Sequence, residues 1–388
     1  MDILSNIIVG IIGIGAFITG LMHPLDNAIL QQHRETAASA PTIHTATTSS
    51  ESLQKQTVSA TKPHSTATST AAQPNSPTPP APTQTPATQP ATTTSPTMQT
   101  TAPRPIGEVN TSTRAALVNI LCLTGGGTSL SPISGSGVII DGRGVILTNA
   151  HVAQYFLLRN FPTPNNVQCT IRTGSPAKNT YNAELLYLPP AWVEANASQI
   201  IARQGTGTGE NDYAFLLITS RTDNAPLPTH VSTLPLTTDP PQRGEQVLLA
   251  SYPAGFLSGQ IILDNLYASS ATTKITNIYT FTNDTERSDL VSAGGTIVSQ
   301  AGSSGGALVR AFDGALLGII TTDTAGTTTA SRDLRAVTLS HIDRSLASFD
   351  EGGIISLLTG DIDTKASDFN TSVAPVLAQT LEAVLQKH

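Results

Sequence analysis

The sequence predicts an all-β protein with two β-barrels or sandwiches in tandem, and three observations lead to that prediction. Short apolar, β-branched or alternating runs recur from Leu117 onward, and turns rich in Gly, Pro, Asn and Asp separate them. These runs form two clusters along the chain. Helical periodicity appears only near the end of the chain, in Val373, Val376, Leu377, Leu381, Val384 and Leu385.

The N-terminal segment 1–24 is predicted to be a transmembrane anchor. Its residues 3–22 carry no charge, and a helix of that length spans roughly 30 Å, the hydrocarbon thickness of a bilayer. The alternative is a cleaved signal peptide, which ordinarily has a basic start and a nearby small-residue cleavage site. Here the chain begins Met1-Asp2, and Ala38-Ser39-Ala40 lies well beyond the apolar stretch, so the anchor is favoured.

Segment 25–105 is predicted to be a disordered linker. From residue 36 onward it consists mostly of Thr, Ser, Pro, Ala and Gln, and it has no apolar run that could build a core. A flexible coil of that length spans about 45 Å root-mean-square. We interpret it as a spacer next to the anchor, the alternative being an untethered low-complexity tail.

The first cluster contains six strand candidates and the second contains seven. Those of the first cluster are Leu117–Leu123, Gly137–Ile140, Gly144–Leu147, Val167–Ile171, Ala183–Leu188 and Tyr213–Ile218. Those of the second are Gln246–Ser251, Gln260–Leu266, Ile278–Phe281, Gly295–Val298, Ala307–Val309, Leu316–Thr321 and Leu334–Leu339. The late periodic segment predicts one amphipathic helix that packs on a barrel.

Charge and histidine spacing argue against nucleic-acid binding and against metal binding. The 388-residue chain has 20 Lys and Arg against 27 Asp and Glu, a net charge of −7, and no basic cluster, which makes it a poor nucleic-acid binder. No metal or cofactor is predicted. Seven of the eight histidines lack the spacing of metal ligands and lie outside any catalytic motif: His23, His33, His44, His64, His230, His341 and His388. We interpret those seven as structural or surface residues.

Three short segments suggest chemistry, in the chain order His151, Asp212, Ser304. A serine hydroxyl is a poor nucleophile at neutral pH, so it needs an imidazole to take its proton and a carboxylate to orient that imidazole. Each segment alone has an ordinary explanation: a core histidine, a turn aspartate, or a serine in a Gly-rich loop. Ser303 is a neighbouring alternative nucleophile, but the Gly-Gly pair directly follows Ser304 and favours the latter.

Together these segments resemble the chymotrypsin/trypsin-like serine proteases, whose triad has that chain order. The motifs are closest to the HtrA/Deg branch: Ser-Gly-Val-Ile-Ile-Asp at 136–141, Thr-Asn-x-His-Val at 148–152 and Gly-x-Ser-Gly-Gly-Ala-Leu-Val at 302–309. The resemblance covers roughly residues 114–345 and leaves too few residues for the PDZ domain usual in that branch. It implies two six-stranded antiparallel β-barrels, 106–225 and 226–345, and a C-terminal helical extension, 346–388.

The resemblance also implies site roles. His151, Asp212 and Ser304 would be catalytic, and the backbone N–H groups of Gly302 and Ser304 would form the oxyanion hole. The substrate pocket would involve Val298, Thr321 and Thr322, with Thr321 also near the catalytic aspartate. Because Val298 carries no charge, cleavage after Lys or Arg is disfavoured and cleavage after small to medium apolar residues is expected.

Two further implications concern Ser303 and the cysteines. The digestive proteases have an acidic residue where this chain has Ser303, so activation by a newly cut N-terminus is not expected. Cys122 and Cys169 fall on strands that are neighbours in the family's barrel. They can form a disulfide in an oxidising compartment or remain two buried thiols.

The resulting functional hypothesis is a membrane-tethered serine endopeptidase that acts in extracytoplasmic quality control or processing. Its partners would be protein or peptide substrates, the membrane, and other copies of the chain in a homo-oligomer. The protease domain would be periplasmic or extracellular, or secreted if the signal is cleaved. The rival hypothesis is a catalytically silent, tethered module that binds peptides or acts as a chaperone. An esterase-like hydrolase is disfavoured, because its chain order places His last.

Overall fold

The computed structural model describes residues 102–126, 129–202, 208–323, 328–349 and 352–387. The predicted anchor and nearly all of the predicted linker therefore lie outside the described residues. Within the described ranges, no helix combines the length and apolar character needed to cross a bilayer. Arg104, at the end of the predicted linker, already belongs to the folded part, because its backbone N–H donates to the Phe312 carbonyl at 2.8 Å.

The first half of the described chain is β-rich, with short helices between strands. In chain order the elements are α1 (Ile106–Ala116), β1 (Leu117–Thr124), β2 (Ile133–Asp141), β3 (Val145–Thr148), α2 (Ala150–Ala153), a 3₁₀ turn (Gln154–Leu158), β4 (Val167–Thr173), β5 (Lys178–Tyr187), α3 (Pro190–Asn196), a second 3₁₀ turn (Ala197–Ile201) and β6 (Ala214–Arg221).

The second half contains seven more strands in the described residues and ends in helices. In order they are β7 (Gln246–Ser251), α4 (Gly259–Asp264), β8 (Ser269–Lys274), β9 (Asn277–Tyr279), β10 (Leu290–Ser292), β11 (Ala307–Arg310), β12 (Leu316–Asp323), a 3₁₀ turn (Thr329–Ser331), β13 (Leu334–Thr338), α5 (Leu339–Ser348), α6 (Gly353–Leu358), α7 (Ile362–Asp368), a π-helical turn (Phe369–Val373) and α8 (Ala374–Leu385).

The first cluster folds as a closed barrel with strand order β1-β2-β3-β6-β5-β4 and antiparallel pairing throughout. Each of its six strands overlaps one predicted from the sequence. The signal is strong because these strands are apolar where they face the core; all four residues of β3, for example, are buried. A barrel also leaves no exposed sheet edge.

The second cluster forms a seven-stranded sheet, β8-β7-β11-β12-β13-β10-β9, where a six-stranded barrel was predicted. The architecture of two β-sheet bodies with a C-terminal helix is as expected. The details differ because β8 and β10 were not predicted, and two predicted strands, Gln260–Leu266 and Gly295–Val298, do not form. β8 has the sequence SSATTK, so it carries no apolar run to signal a strand.

The predicted strand at Gln260–Leu266 is wrong because hydrogen bonds at both ends favour helix α4. The Ser258 hydroxyl accepts a bond from the third residue of the helix, an N-cap. At the other end the buried Arg172 guanidinium donates to the carbonyls of Ile262 at 2.8 Å and Leu263 at 2.7 Å. The apolar residues of α4 remain partly or largely exposed, so burial does not select a strand here.

The predicted strand at Gly295–Val298 is wrong because the segment turns back on itself. The Thr296 backbone N–H donates to the Ser299 hydroxyl at 2.9 Å, and the Ser299 N–H donates to the Thr296 carbonyl at 2.9 Å. Such local side-chain bonds compete with sheet pairing. The turn is the approach to the Gly-rich segment that contains Ser304.

The C-terminal extension contains more helices than the single one predicted. α8 buries Leu377, Leu381 and Leu385 along one stripe, and it packs on the 3₁₀ turn Gln154–Leu158 of the first barrel. Val376 is 61% exposed and lies outside the stripe. Helix α1 was also missed, since it buries few residues and its sequence is rich in Thr and Ser.

A disulfide joins Cys122 on β1 to Cys169 on β4, where the two residues lie directly opposite each other. They are separated by 47 residues in sequence. We expect replacement of both by alanine to lower the free energy of unfolding by about 2–4 kcal/mol, because cross-linking restricts the unfolded chain. Urea unfolding of the double variant and the parent chain measures the difference.

The matched control is a reducing agent. It should shift the unfolding midpoint of the parent chain toward that of the double variant and leave the double variant unchanged. Equal midpoints for the oxidised parent chain and the double variant would contradict a stabilising cross-link.

Candidate active site

His151 lies just after strand β3 of the first barrel. Strand β3 ends at Thr148, Asn149 continues in an extended conformation, and α2 then begins with His151 in its first turn. The Asn149 side-chain N–H donates to the Asp212 carbonyl at 2.8 Å. This bond joins the segment before His151 to the segment before β6.

His151 and Asp212 form a close pair. His151 Nδ1 lies 2.9 Å from Asp212 Oδ2 and 3.2 Å from Oδ1, and the His151 backbone N–H donates to Oδ1 at 3.0 Å. The Asp212 side chain is 7% exposed and the His151 side chain 31%. A carboxylate on Nδ1 holds the proton there, so the other ring nitrogen, Nε2, is left as the basic one.

The pKa values of the pair move in opposite directions. Burial would lower the pKa of the His151 imidazole, but the charge of Asp212 and its hydrogen bond outweigh burial and hold that pKa above the usual value for histidine. Burial would raise the pKa of Asp212, but His151 and the Thr321 hydroxyl hold it below its usual value. Asp212 therefore stays ionised at neutral pH, where it stabilises a positively charged His151.

Thr321 lies in β12 and donates its hydroxyl proton to Asp212 Oδ2 at 2.6 Å. The residue is 4% exposed. Its hydroxyl is thus directed to the carboxylate, the supporting position expected for it, and is not available to line an open substrate pocket. The bond crosses from the second sheet to the segment that precedes β6 of the first barrel.

We expect Thr321→Val to lower kcat/KM about tenfold, because a hydrogen bond to a carboxylate is worth roughly 1.5–3 kcal/mol and valine keeps the shape without the donor. Thr321→Ser keeps the hydroxyl and should stay close to the parent activity. Initial rates of peptide hydrolysis compare the three chains. A valine variant as active as the serine variant would contradict this contribution.

Ser304 lies in a tight loop between glycines with positive φ, +89° at Gly302 and +82° at Gly305. A Cβ added at Gly305 would lie 2.0 Å from the Ser136 carbonyl oxygen, so no other residue fits there. The Gly305 N–H donates to the Ile320 carbonyl at 2.7 Å. These contacts force the loop to turn sharply next to the first barrel.

The backbone N–H groups of Gly302 and Ser304 make no hydrogen bond to any of the described residues. The carbonyl that precedes each of them is engaged: Ala301 O accepts from Ala254 N at 2.8 Å, and Ser303 O accepts from Gly306 N at 2.9 Å. In a trans peptide the N–H points away from its carbonyl. Both N–H groups are therefore fixed and unpaired, as donors to a developing oxyanion must be.

Ser303 is buried, and its hydroxyl accepts a bond from the Ser251 hydroxyl at 2.8 Å. This position thus has a neutral partner in β7. No charged group is involved in the contact.

The Ser304 side chain makes no hydrogen bond to any of the described residues, His151 included. Catalytic hydrogen bonds are often long in ligand-free enzymes and tighten once substrate binds. Hydrogen bonds therefore join His151, Asp212 and Thr321 directly. Ser304 is connected to the first barrel through its backbone, whose carbonyl accepts from Ser136 N at 2.7 Å.

The remaining predicted pocket residues have different placements. Val298 is fully buried in the core of the second sheet with Val247 and Leu249, so its side chain does not line an open pocket. Thr322 belongs to β12, but its side chain lies outside the described part of the chain. Within that described part, no group of three or more His, Cys, Asp or Glu residues is placed to hold a metal ion.

Residues 135–319 match the family model described as the trypsin-like peptidase domain, and the matched range includes His151, Asp212 and Ser304. This part of the chain is therefore similar to trypsin-like peptidase domains. This match confirms the predicted resemblance to trypsin-like serine proteases, and it supports the prediction of a serine endopeptidase.

The trypsin-like peptidase domain also has solved structural neighbours. One is an HtrA-type protease with a tripeptide, 18% identical in sequence, with a TM-score of 0.41. The alignment covers 64% of this chain and 63% of that one, so the chain spans less than two thirds of that neighbour's length. A search of curated proteins returned no match.

The contacts of Ser136, of Asn149 and between Ala254 and Ala301 were not predicted from the sequence. Ser136 and Asn149 both stand inside motifs that carried the family resemblance, but nothing in the sequence assigned them a partner. The contact between Ala254 and Ala301 has no sequence signal at all, because it joins two backbones from distant segments.

Proposed function

We propose that this protein is a serine endopeptidase that cleaves polypeptides through an acyl-enzyme. One observation carries the proposal: a buried Asp212 holds Nδ1 of His151 at 2.9 Å within a trypsin-like peptidase domain. The unpaired N–H groups of Gly302 and Ser304 add the second requirement, a site for the oxyanion.

In the proposed reaction, His151 Nε2 removes the Ser304 hydroxyl proton as Oγ attacks the carbonyl carbon of the scissile peptide. The oxyanion forms beside the two backbone N–H groups. Protonated His151, stabilised by Asp212, then gives its proton to the leaving amine. A water molecule, deprotonated by His151, hydrolyses the acyl-enzyme and returns Ser304 to its starting state.

The edge of β12 is the proposed site for the substrate backbone. Up to Ile320, β12 is bonded on one side to β11 and the Ser304 loop; at Thr322 and Asp323 its pairing in the described chain is with β13 alone. An extended peptide can add to such an edge as an antiparallel strand. This edge directly follows Thr321, so a bound peptide would pass close to the His151 pair.

We propose a preference for small to medium apolar residues on the N-terminal side of the cleaved bond. The support is in the sequence alone: at Val298, the position that the family resemblance places near the pocket, the chain has no carboxylate that could neutralise Lys or Arg, although the Val298 side chain itself is buried in the core. A panel of peptides that differ at this one position tests the preference. Alanine, valine or leucine should give the highest kcat/KM, and fastest cleavage after arginine would contradict it.

Activity should fall as the pH is lowered through the pKa of His151, which Asp212 raises above the usual value for histidine. His151 must be neutral to accept the Ser304 proton. Asp212 raises the pKa of His151, so the imidazole stays protonated up to a higher pH. The acid limb of kcat/KM against pH reports this pKa. In Asp212→Asn the limb should move to lower pH, since the charge that raises the pKa is removed; an unchanged limb would contradict the assignment.

We further propose that the N-terminal segment tethers the protease to a membrane, with the domain outside the cytoplasm and a role in protein quality control or processing. The support is in the sequence: the uncharged stretch 3–22 followed by the Thr/Ser/Pro-rich segment. Fractionation of cells that express the full chain, and a variant lacking 1–24, tests this. Equal recovery of both chains in the soluble fraction would contradict tethering.

The second candidate function is a catalytically silent module that binds peptides. The observation that favours it is the Ser304 hydroxyl without a hydrogen bond to His151 among the described residues. Digestion of unfolded casein by the full chain separates the two candidates. Cleavage that a fluorophosphonate blocks supports the peptidase, and binding of casein without cleavage supports the silent module.

A further inference from the structure

Ser136 is a fully buried serine of β2 that contacts the Ser304 loop at two points. Its hydroxyl donates to the Gly302 carbonyl at 2.8 Å, and its backbone N–H donates to the Ser304 carbonyl at 2.7 Å. These two carbonyls flank the proposed nucleophile and belong to the second half of the domain. The loop is therefore bonded to the first barrel on both sides of Ser303.

The same serine also receives hydrogen bonds. Its hydroxyl accepts from the Tyr252 backbone N–H at 2.9 Å, and its carbonyl accepts from the Thr148 hydroxyl at 2.7 Å. Thr148 is the last residue of β3, and His151 follows in the first turn of α2. Ser136 thus bonds both to the strand that leads to His151 and to the loop that holds Ser304.

The side chain at this position must be a donor and an acceptor at once. The Gly302 carbonyl needs a proton and the Tyr252 N–H needs an oxygen, and both groups are buried. A small hydroxyl supplies both. Alanine would leave the two backbone groups unpaired. It would also remove the bond that holds the carbonyl side of the Gly302–Ser303 peptide, whose N–H side donates to the Gln300 carbonyl at 3.2 Å.

That peptide matters because Gly302 also carries one of the two oxyanion donors. Its N–H belongs to the preceding peptide, which is held through the Ala301 carbonyl by Ala254. Its carbonyl belongs to the following peptide, which is held by Ser136. The N–H of that following peptide also donates to the Gln300 carbonyl at 3.2 Å. Gly302 has φ +89° and no side chain, so hydrogen bonds to its two peptides hold its conformation, and the Ser136 bond is the one on its carbonyl.

We propose that Ser136 is a positioning residue: it holds the Gly302 carbonyl and thereby keeps the oxyanion N–H groups and Ser304 in register with His151. The inference rests on the proposed function. Ser136 acts through Gly302 and does not touch the reacting atoms. The effect should appear in the chemical step, since a small misplacement of reacting groups can cost roughly 10²-fold in rate.

The test compares the full chain with Ser136→Ala, Ser136→Thr and the control Ser292→Ala. Ser292 is also fully buried, and its hydroxyl bonds to Thr276 and Asp333 on the other side of the second sheet. Four quantities are measured: kcat and KM for an apolar peptide p-nitroanilide, the rate of fluorophosphonate labelling, and the thermal unfolding midpoint.

We expect Ser136→Ala to lower kcat and the labelling rate about 10- to 100-fold with KM within about twofold, and Ser136→Thr to recover most of the loss. Ser292→Ala should destabilise the chain comparably and leave kcat within about twofold. If Ser136→Ala does not fold, Ser136→Cys serves in its place, because a thiol is a weak donor of similar shape and should give an intermediate loss.

An active parent chain with an equally active Ser136→Ala variant would overturn this inference alone, and so would a loss matched by Ser292→Ala. A folded parent chain that neither cleaves peptide nor reacts with the fluorophosphonate would overturn the proposed function, and this inference with it. The two failures are therefore distinguishable.

Discussion

Replacing Ser304 with alanine should reduce kcat for peptide hydrolysis by about 10⁵- to 10⁶-fold while the fold is retained. The nucleophilic oxygen is removed, and the remaining groups can only bind substrate and stabilise the oxyanion. Ser304 is partly exposed and its side chain makes no hydrogen bond to the described residues, so its loss should not destabilise the chain. Cleavage of a quenched fluorescent peptide and circular dichroism measure the two effects.

Ser303→Ala is the matched control, because it makes the same change one residue earlier. The Ser303 hydroxyl is buried against Ser251, so its removal should lower stability by about 1 kcal/mol and kcat less than tenfold. Loss of all activity in Ser303→Ala, with activity retained in Ser304→Ala, would contradict the choice of nucleophile.

Replacing Asp212 with asparagine should lower kcat about 10⁴-fold, the loss that the same substitution causes in a Ser-His-Asp protease triad. The amide can donate a proton to Nδ1, which leaves the wrong ring nitrogen basic, and it cannot stabilise charged His151. The amide nitrogen that takes the place of Oδ2 can no longer accept the Thr321 hydroxyl, whereas the remaining oxygen still accepts the His151 backbone N–H and keeps the two segments joined. Single-turnover acylation by an activated ester gives the rate directly.

Asp289→Asn provides the control for a buried aspartate beside a histidine. Asp289 is 2% exposed and lies 3.3 Å from His341 Nδ1, with Arg344 on the same carboxylate. Removing its charge should lower stability without a specific loss of acylation rate. Equal losses of acylation rate in the two asparagine variants would show that Asp212 is structural only.

The first barrel could be predicted from the sequence because its strands are apolar on the faces they bury. β3 and β6 show this most clearly, since the runs Val145–Leu147 and Ala214–Ile218 are buried in full. The second sheet was predicted less well, because its pairing depends on contacts between distant segments. β8 is polar along its length, and α4 is capped by Arg172 from the other half of the domain.

The triad could be predicted because each of its residues stands in a short motif with a fixed chain order. Of the groups that hold the triad in place, Thr321 was predicted from the family resemblance, but the others were not, since they bond to backbone atoms whose positions a sequence does not display. Ser136 is an example: its partners Gly302 and Tyr252 are more than a hundred residues away. The substrate pocket could not be predicted either. Val298, which the family resemblance places in the pocket, is buried in the core beside a local turn between Thr296 and Ser299.

The most direct test of the central claim is fluorophosphonate labelling of the full chain, followed by peptide mapping by mass spectrometry. We expect one adduct, on Ser304, whose formation slows at low pH and disappears in His151→Ala. An adduct on Ser303, labelling that survives His151→Ala, or no adduct on the folded chain would contradict a nucleophile activated by the His151–Asp212 pair.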